Sequence, residues 1–411
     1  MKFLNILLCK VKQNSSTYLK NSEKQMPQRQ QTFESPALGL YCHVPFCAHR
    51  CKYCAFYKEA PTSESIDRYL SGLAKEFSLL KIENPFSSIY VGGGTPGVLA
   101  GENLERLCQI LTQNNGSLRA SEFSIEFSPA TVKREKIEIA KNYSCNRITL
   151  GIQSFNAKTL QTLGRRQTSK QVTDACEIIS SCGIENTGID LIFGIPNQTL
   201  EEWLADLQCA INLRPKHIST YNLTFENGTE LRANLMDGEF EQKSIDDEAE
   251  FYLRTCDFLT NSGYRQYEIS NFCLPGFESI HNSNTWEMQN WIGIGPSACS
   301  QYGGSRFSNP PSIRQWLEPL EQNKLAHGNV EIIDERNFLL DSIIFGLRMN
   351  RGINIFRLRN NHRRIDFSQL DELFANLVAE NLAQTHGEFT RLTSNGRLVA
   401  DAIAVEILET L

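Results

Sequence analysis

Three cysteines that could bind a metal cluster lie close together in the chain. Cys47, Cys51 and Cys54 have the spacing CxxxCxxC. Thiolates are the usual ligands of iron–sulfur clusters, and this short spacing allows one loop to wrap around one cluster. A structural zinc site or an ordinary four-iron cluster uses four protein ligands, but Phe56 occupies the position where a fourth cysteine could follow. The motif therefore predicts a [4Fe–4S] cluster with one iron left open to another ligand.

Two other interpretations of these cysteines stay open at this point. The chain contains 13 cysteines, so three of them could fall together by chance. The loop could also bind zinc with a distant fourth ligand such as His43, although paired C-x₂-C motifs are the usual mark of zinc sites. The spacing C-x₃-C-x₂-C favours the iron–sulfur cluster.

Six strand-like segments, each followed by a helical pattern, must position this loop. The predicted strands are 39–44, 88–91, 123–127, 147–153, 188–194 and 217–223, and the helices that follow them begin near 63, 102, 133, 169, 200 and 244. No hairpin signal separates the six units, which implies right-handed crossovers and a parallel sheet. Six units are fewer than the eight that close a full barrel. We therefore expect an α/β fold with an open, partial (β/α)6 barrel.

Polar and glycine residues fall where these strands end, the edge at which barrels carry their active sites. The cysteine loop follows the first strand, the run 92–96 (GGGTP) follows the second, and Glu126, Gln153 and Asp190 lie on the next three. Glycines allow backbone to approach a ligand closely, and Glu126 could accept hydrogen bonds from ribose hydroxyls. Each feature also has a plainer interpretation, as a tight turn or an exposed carboxylate. Together they predict a ligand site.

In combination, the motifs resemble one branch of the radical S-adenosylmethionine (SAM) enzymes, which contains the oxygen-independent coproporphyrinogen III oxidases (HemN) and the HemW-type haem chaperones. The matching motifs are Tyr41-x-His43-x-Pro45-Phe46-Cys47, GGGTP at 92–96, Glu126, GIQSF at 151–155, LGR at 163–165, DLIFGIP at 190–196, YEISNF at 267–272 and GIGPSA at 293–298. The resemblance extends from about Leu40 to the C-terminus.

This resemblance implies cofactors and site residues. Cys47, Cys51 and Cys54 would hold the [4Fe–4S] cluster, and SAM would bind its open iron. The residues implied to contact the cofactor at the cluster are Tyr41, Tyr53, Gly93, Gly94, Thr95 and Glu126. Gln153, Arg165 and Asp190 are implied to contact SAM or a substrate in the same cavity. An arginine such as Arg165 could clamp a carboxylate with its planar guanidinium, or could be a solvated surface residue.

Two features favour the chaperones over the oxidases. The oxidases have the cysteine pattern CxxxCxxCxC, whereas this chain has Phe56 at the position of the fourth cysteine. The chaperone pattern HNxxYW is present from His281 to Trp286, with Thr285 in place of tyrosine. His281 is the candidate haem ligand, and Trp286 could form an apolar wall against the porphyrin. The leading hypothesis is a haem chaperone that passes haem to an unidentified acceptor protein. The alternative is an oxygen-independent coproporphyrinogen III oxidase, and whether the chain is an enzyme stays open.

Two further cysteines and the last 80 or so residues complete the interpretation. Cys42 and Cys273 are expected to pack near the site, although a thiol beside haem could also bind it covalently. We divide the chain into a disordered extension (1–36), the partial barrel (37–325) and a mainly helical, winged-helix-like domain (326–411). Winged helices often bind nucleic acid, so a metal-stabilised nucleic-acid regulator is a third hypothesis. The net charge of −6 makes nucleic acid a poor partner, and we favour a lid or docking role.

The spacing of the cysteines and the N-terminal segment indicate the cellular compartment. Free cysteines without paired extracellular spacing indicate a reducing compartment. The apolar run near the N-terminus is short for a signal peptide and is followed by Lys10 and Lys12. We interpret it as a non-signal extension, with a transit or anchor role as the alternative. No segment is long and apolar enough to span a membrane. We expect a cytoplasmic protein.

Overall fold

The chain folds around an open sheet of twelve strands. The structure is a computed structural model, and it describes residues 37–82, 85–113 and 120–410. The six central strands lie parallel and in chain order: β1 (Leu38–Val44), β2 (Ser88–Gly93), β3 (Glu122–Phe127), β4 (Arg147–Gln153), β5 (Asn186–Phe193) and β6 (His217–Asn222). The predicted (β/α)6 order is thereby confirmed. The predicted extension at residues 1–36 lies outside the described residues.

Helices connect the parallel strands, as predicted. They are α1 (Ser63–Leu80), α2 (Gly101–Gln113), α3 (Arg134–Asn142), α4 (Ala157–Thr162), α5 (Ser169–Ser181), α6 (Leu200–Asn212), α7 (Glu230–Met236) and α8 (Ile245–Asn261). Threonine side chains cap several of their first turns: Thr62, Thr168 and Thr199 each accept a hydrogen bond from the backbone N–H three residues on. Such caps satisfy backbone donors that have no partner inside the helix.

Six further strands extend the sheet on both sides, and the sequence did not predict them. β9 (Asn290–Ile294) pairs parallel with β1, and β10 (Cys299–Tyr302), β11 (Ser305–Ser308) and β12 (Gly328–Ile332) follow antiparallel. On the other side, β8 (Asn271–Cys273) pairs with β6, and β7 (Arg265–Glu268) pairs with β8. Strands of three to five residues are too short to show a clear hydrophobic period. The ends of the sheet, β12 and β7, do not pair with each other.

The two faces of the parallel strands differ in chemistry. On one face, alternate residues such as Leu40, Ile125 and Leu150 belong to the large apolar core that the helices cover. The opposite face, which we call the polar face, carries the residues between them: Gly39, Tyr41, His43, Ser88, Tyr90, Gly92, Glu122, Ser124, Glu126, Arg147, Thr149, Gly151, Gln153, Gly188, Asp190, Ile192, His217, Ser219 and Tyr221. A buried parallel sheet is usually apolar on both faces. A polar face therefore indicates a lining for a ligand.

The C-terminal region combines helices with a small sheet. Its elements are α11 (Glu335–Arg348), β13 (Ile353–Asn354), α12 (Ile355–Asn361), α13 (Ser368–Ala379), β14 (Ala383–His386), β15 (Phe389–Leu392), α14 (Ser394–Leu398) and α15 (Ala400–Thr410), after α9 (Ile280–Trp286) and α10 (Ile313–Glu321) of the preceding region. Its three strands form the order β13-β15-β14. Helices with a β-hairpin match the winged-helix expectation, and the division at residue 326 stays a prediction.

Two details of this region correct the sequence-based expectation. The helix predicted from Asp366 to Leu382 ends at Ala379, because the following residues form strand β14 against β15. The final helix is broken at Val399, and its cap is Thr393 rather than Ser394. None of the helices within the described ranges is long and apolar enough to cross a membrane.

Candidate cofactor site at the ends of the parallel strands

The cysteine loop is held in place by backbone hydrogen bonds to three other segments. The N–H of Cys47 donates to the carbonyl of Glu59 (3.0 Å), and the N–H of Lys52 donates to Leu163 (3.1 Å). In return the carbonyl of Lys52 accepts from Leu231 at the start of α7 (2.9 Å). These three hydrogen bonds connect the loop to the segments around Glu59, Leu163 and Leu231 and fix its shape.

The three thiols of the loop supply the donor set of an iron–sulfur cluster that is held by three cysteines. Cys47, Cys51 and Cys54 are free and partly exposed, and burial raises the pKa of the Cys47 thiol while Thr95, whose Oγ1 lies 3.7 Å from its Sγ, lowers it. Among the described residues, no three His, Cys, Asp or Glu side chains are placed to hold one metal ion. A cluster binds each thiolate to a different iron, so its ligands stand further apart than those of one ion.

The glycine run packs directly against the end of β1. Gly93 has φ +107°, and a Cβ there would lie 2.5 Å from Nδ1 of His43. A Cβ on Gly94 would lie 2.5 Å from the carbonyl oxygen of Phe46. The N–H of Thr95 donates to that same carbonyl (2.8 Å). Only glycine fits at 93 and 94, and this packing places the GGGTP segment beside the cysteine loop.

His43 orients the first of the predicted SAM contacts. Its Nε2 lies 3.4 Å from the carbonyl oxygen of Tyr57, to which only an N–H can donate, so Nδ1 accepts the hydroxyl proton of Tyr41 (3.0 Å). Burial lowers the pKa of His43 to about 4. The imidazole is therefore neutral at neutral pH and holds Tyr41 in one orientation. The sequence had suggested His43 only as a distant zinc ligand, which its two hydrogen bonds do not favour.

Glu126 and Asp190 share the polar face with three tyrosines. The hydroxyl of Tyr90 donates to Oε1 of Glu126 (2.7 Å). Burial raises the pKa of Tyr90, and the charges of Glu126 and then Asp190 raise it further. Burial also raises the pKa of Tyr221, and the charge of Asp190 raises it further. Glu126 and Asp190 thus both place negative charge near the buried tyrosine hydroxyls of the polar face.

A bulge in β4 gives Gln153 an unusual position. The pairing of β4 with β5 shifts between Gly151 and Gln153, and Gln153 has φ +73°. Its side chain is buried, and Oε1 finds no hydrogen-bond partner in the described part of the chain. Bulges re-aim side chains beside active sites, and an unpaired buried oxygen indicates a missing ligand or water. The site thus offers an acceptor to a bound molecule.

Arg165 lies between the bulge and the cysteine loop. Its Nη1 donates to the carbonyl of Gly151 (2.9 Å), and Nη2 donates to the hydroxyl of Tyr53 (3.4 Å). Its Nε is buried without a hydrogen-bond partner within residues 37–82, 85–113 and 120–410. Arg165 is therefore not a solvated surface residue. It supplies a fixed positive charge and an available donor next to Cys51 and Cys54.

The structure does not bring His281 to this site. His281 lies on α9 and is 2% exposed. Its Nδ1 lies 3.0 Å from Oγ of Ser88, the first residue of β2, and its ring centroid lies 5.3 Å from that of Tyr90. Glu122, the first residue of β3, accepts the backbone N–H of His281 (3.2 Å). His281 therefore sits at the N-terminal ends of the strands, whereas the cysteine loop follows the C-terminal end of β1.

Three other residues discussed from the sequence lie inside the protein. Cys42 is on the apolar face of β1, where its Sγ lies 3.5 Å from the hydroxyl of Tyr69, so it does not face the polar site. Cys273 is likewise fully buried. Trp286 packs edge-on against Phe345 of α11 and joins α9 to the C-terminal core. In this arrangement Trp286 is a core residue and not an open wall.

Sequence reasoning missed Tyr90 and Ala298. Tyr90 links Glu126 to His281, and Ala298 forms a small buried cluster with Tyr41 and Tyr90. Tyr90 could have been found from the sequence, because it lies two residues before Gly92 and so shares its face of the strand. Ala298 carries no chemical signal in a sequence, since its role depends only on its position.

Comparison with known proteins agrees with this geometry. The model of the radical SAM superfamily matches residues 41–210, which include the end of β1, the cysteine loop and strands β2 to β5. A heme chaperone HemW of Lactococcus lactis subsp. lactis is 33% identical over 87% of this chain and 94% of its own length. The heme chaperone HemW of Escherichia coli is 28% identical over 90% of this chain and 97% of its own length.

A solved structure shows the same fold over most of the chain. Coproporphyrinogen III oxidase (HemN) from Escherichia coli, a radical SAM enzyme, aligns with a TM-score of 0.81 and covers 92% of this chain and 91% of its own. Its sequence identity is 23%, so it establishes the fold alone. The partial barrel and the C-terminal region are both part of this shared architecture.

Proposed function

The chain belongs to the HemW family of the radical SAM superfamily, and from this we propose that it is a haem chaperone that binds haem and passes it to an acceptor protein in the cytoplasm. One observation carries the proposal: 33% identity to a heme chaperone along 94% of the length of that relative. The chain also has Phe56 where the oxidase pattern has a fourth cysteine.

The polar face and its loops have the groups that a cluster with bound SAM requires. Cys47, Cys51 and Cys54 would hold the cluster, and when reduced such a cluster supplies an electron to SAM. The GGGTP backbone would receive the amino-acid end of SAM. Glu126 would accept from the ribose hydroxyls, with Tyr90 holding its carboxylate in place.

The other polar groups would complete the SAM site. Arg165 would pair with a carboxylate, and Gln153 would accept a hydrogen bond through its free Oε1. Asp190 and Tyr41 would line the same cavity. In this proposal these residues bind and orient SAM.

Haem would bind through His281. Burial lowers the pKa of His281 to about 3, so the imidazole is neutral and can bind iron through a nitrogen lone pair. Ser88 holds Nδ1, which leaves Nε2 for iron, as in metal sites where the second ring nitrogen is held by a hydrogen bond. Because His281 is buried, haem binding requires α9 to move away from the strand ends.

Anaerobic reconstitution with iron and sulfide, followed by addition of haem, tests the proposal. We expect about one haem per chain by absorption spectroscopy, and His281→Ala should lower haem affinity at least about tenfold, the loss of roughly 1.4 kcal/mol. His386→Ala is the matched control, because His386 is exposed on β14. Equal affinities for the two variants would contradict the assignment of His281.

The same preparation distinguishes the alternatives. In an incubation separate from the haem assay, the preparation receives coproporphyrinogen III together with SAM. The products, including 5′-deoxyadenosine, are then separated by chromatography. A decarboxylated porphyrinogen would overturn the chaperone proposal in favour of the oxidase. Tight, salt-dependent DNA binding without haem binding would favour a nucleic-acid regulator.

A further inference from the structure

A buried carboxylate on α1 binds three N–H donors from distant parts of the chain. Glu76 is 1% exposed. Its oxygens accept from the backbone N–H of Gly295 (2.7 Å), from Nδ2 of Asn309 (2.6 Å) and from Nε1 of Trp316 (3.1 Å). None of these residues belongs to the cofactor site described above.

We call the hydrogen bonds of Glu76 to Gly295, Asn309 and Trp316 the Glu76 clamp. This clamp fixes one peptide unit of the GIGPSA motif. While Glu76 accepts from the N–H of Gly295, Nδ2 of Asn309 donates to the carbonyl of the same residue (2.8 Å). Gly295 has φ +89°, and a Cβ there would lie 2.6 Å from the carbonyl oxygen of His43. That same carbonyl accepts the hydroxyl of Tyr69 from α1 (2.9 Å). Gly295 is thus packed tightly against His43 of β1, which is four residues before Cys47.

The position of Gly295 determines the position of Ala298. The N–H of Ala298 donates to the carbonyl of Gly295 (3.3 Å). Ala298 is 1% exposed and packs with Tyr41 and Tyr90. A shift of the Gly295 peptide would therefore move Ala298 against Tyr41, a proposed SAM contact, and against Tyr90, which holds Glu126.

The chemistry at Glu76 indicates more than filling of the core. A buried carboxylate is costly to desolvate, and an apolar group of similar size often stabilises a core at least as well. Three converging N–H donors, however, need a group that only accepts, and an amide or hydroxyl cannot serve all three. A carboxylate is suited to holding this loop in one geometry.

We propose that Glu76 is a positioning residue for SAM binding, which acts through the Gly295 peptide and Ala298 on Tyr41 and Tyr90. This inference rests on the proposed function, because it presumes that SAM binds against these tyrosines. Glu76 does not itself touch the ligand. Its role is to hold one wall of the site at the correct distance from the cluster loop.

Glu76→Gln tests the proposal, since it keeps the size of the side chain but places an NH₂ where one oxygen accepted either from Asn309 or from Gly295 and Trp316. Glu64→Gln is the matched control, because Glu64 is exposed on the same helix. All proteins are reconstituted anaerobically, and bound iron and sulfide are measured first. SAM affinity is then measured by equilibrium dialysis, and the spectrum of the reduced cluster is recorded by electron paramagnetic resonance with and without SAM.

We expect Glu76→Gln to keep its cluster but to bind SAM about tenfold more weakly, with a smaller change of the cluster spectrum on SAM addition. Glu64→Gln should match the unchanged protein. Trp316→Phe removes only one of the three donors and keeps an aromatic ring, so it should fold and weaken SAM binding two- to threefold even if Glu76→Gln is unstable.

The outcomes separate this inference from the function on which it rests. If the unchanged protein reconstitutes its cluster and fails to bind SAM, the proposed SAM site itself is wrong. If the unchanged protein binds SAM and both Glu76→Gln and Trp316→Phe bind it equally well, the positioning role of Glu76 is refuted. Loss of the cluster in Trp316→Phe would also refute it, because the effect would then be on the cysteine loop.

Discussion

The N-terminus of α9, which carries His281, depends on one buried carboxylate. Glu122 accepts the hydroxyl of Ser279 (3.1 Å) and the backbone N–H groups of Ile280 (3.0 Å) and His281 (3.2 Å). It also pairs with Arg147, whose Nη1 lies 3.7 Å away, and both side chains are at most 3% exposed. Glu122→Gln keeps the shape but removes the charge opposite Arg147.

The expected loss follows from burial. Removing one partner of a buried ion pair leaves an uncompensated charge and costs about 3–5 kcal/mol. Arg147 retains hydrogen bonds to Asn186 (3.3 Å) and to the carbonyl of Phe277 (3.1 Å), so we expect the lower end, about 3 kcal/mol. Urea denaturation followed by circular dichroism measures the free energy of unfolding. Haem affinity should fall as well, because the helix that carries His281 loses its anchor.

The chain provides a matched control for this substitution. Arg134 and Glu138 form a second arginine–glutamate pair with the same 3.7 Å separation, but their side chains are 55% and 54% exposed. Exposed pairs contribute about 0–1 kcal/mol, so Glu138→Gln should change stability little. If Glu122→Gln and Glu138→Gln lowered the unfolding free energy equally, the reasoning from burial would be refuted.

Three further predictions concern the cofactor site and its supports. The cost of burial outweighs the three N–H donors and raises the pKa of Glu76 to about 7 from its usual value near 4.5. The contribution of Glu76 to stability is therefore full below pH 4.5 and is lost by about 3 kcal/mol as the pH rises through 7, so the carboxylate holds the Gly295 peptide at a cost in stability. Glu76→Gln should remove this slope from urea denaturation at pH 4.5 to 8. Gly93→Ala should abolish SAM binding in equilibrium dialysis, because the new Cβ would overlap the ring of His43 and φ is +107°; an unchanged affinity would contradict the packing. Tyr90→Phe removes the hydrogen bond to Glu126 and should weaken SAM binding about tenfold, since bonds to charged groups contribute about 1.5–3 kcal/mol; equal binding would show that the hydroxyl does not hold the carboxylate.

Local sequence patterns were enough to predict most of the fold. The strand β4, for example, begins and ends where its sequence pattern predicted, at Arg147 and Gln153. Such runs are recognisable because the hydrophobic period and the turn residues are properties of neighbouring positions. The added strands β7 to β12 were not predicted, since each has only three to five residues and too few positions to show a hydrophobic period.

The site residues likewise divide into those that a local sequence pattern predicts and those that only distant contacts place. The cysteine spacing and the GGGTP run are continuous in the chain, so their types and order already predict a cofactor loop. The bulge that re-aims Gln153 and the clamp of Glu76 on Gly295 are not continuous. Glu76 and Gly295 are 219 positions apart, and no local pattern reports such a contact.

The sequence by itself therefore determined the family, the order of strands and helices, and the loop with Cys47, Cys51 and Cys54, because these depend on residue types at short spacing. Only the tertiary structure decided that His281 lies at the opposite ends of the strands from those cysteines. That separation arises from packing of α9 against Ser88, 193 positions earlier in the chain. The cysteine motif and the motif with His281 therefore lie at different ends of the strands, and Tyr90 contacts both Glu126 and His281 between them.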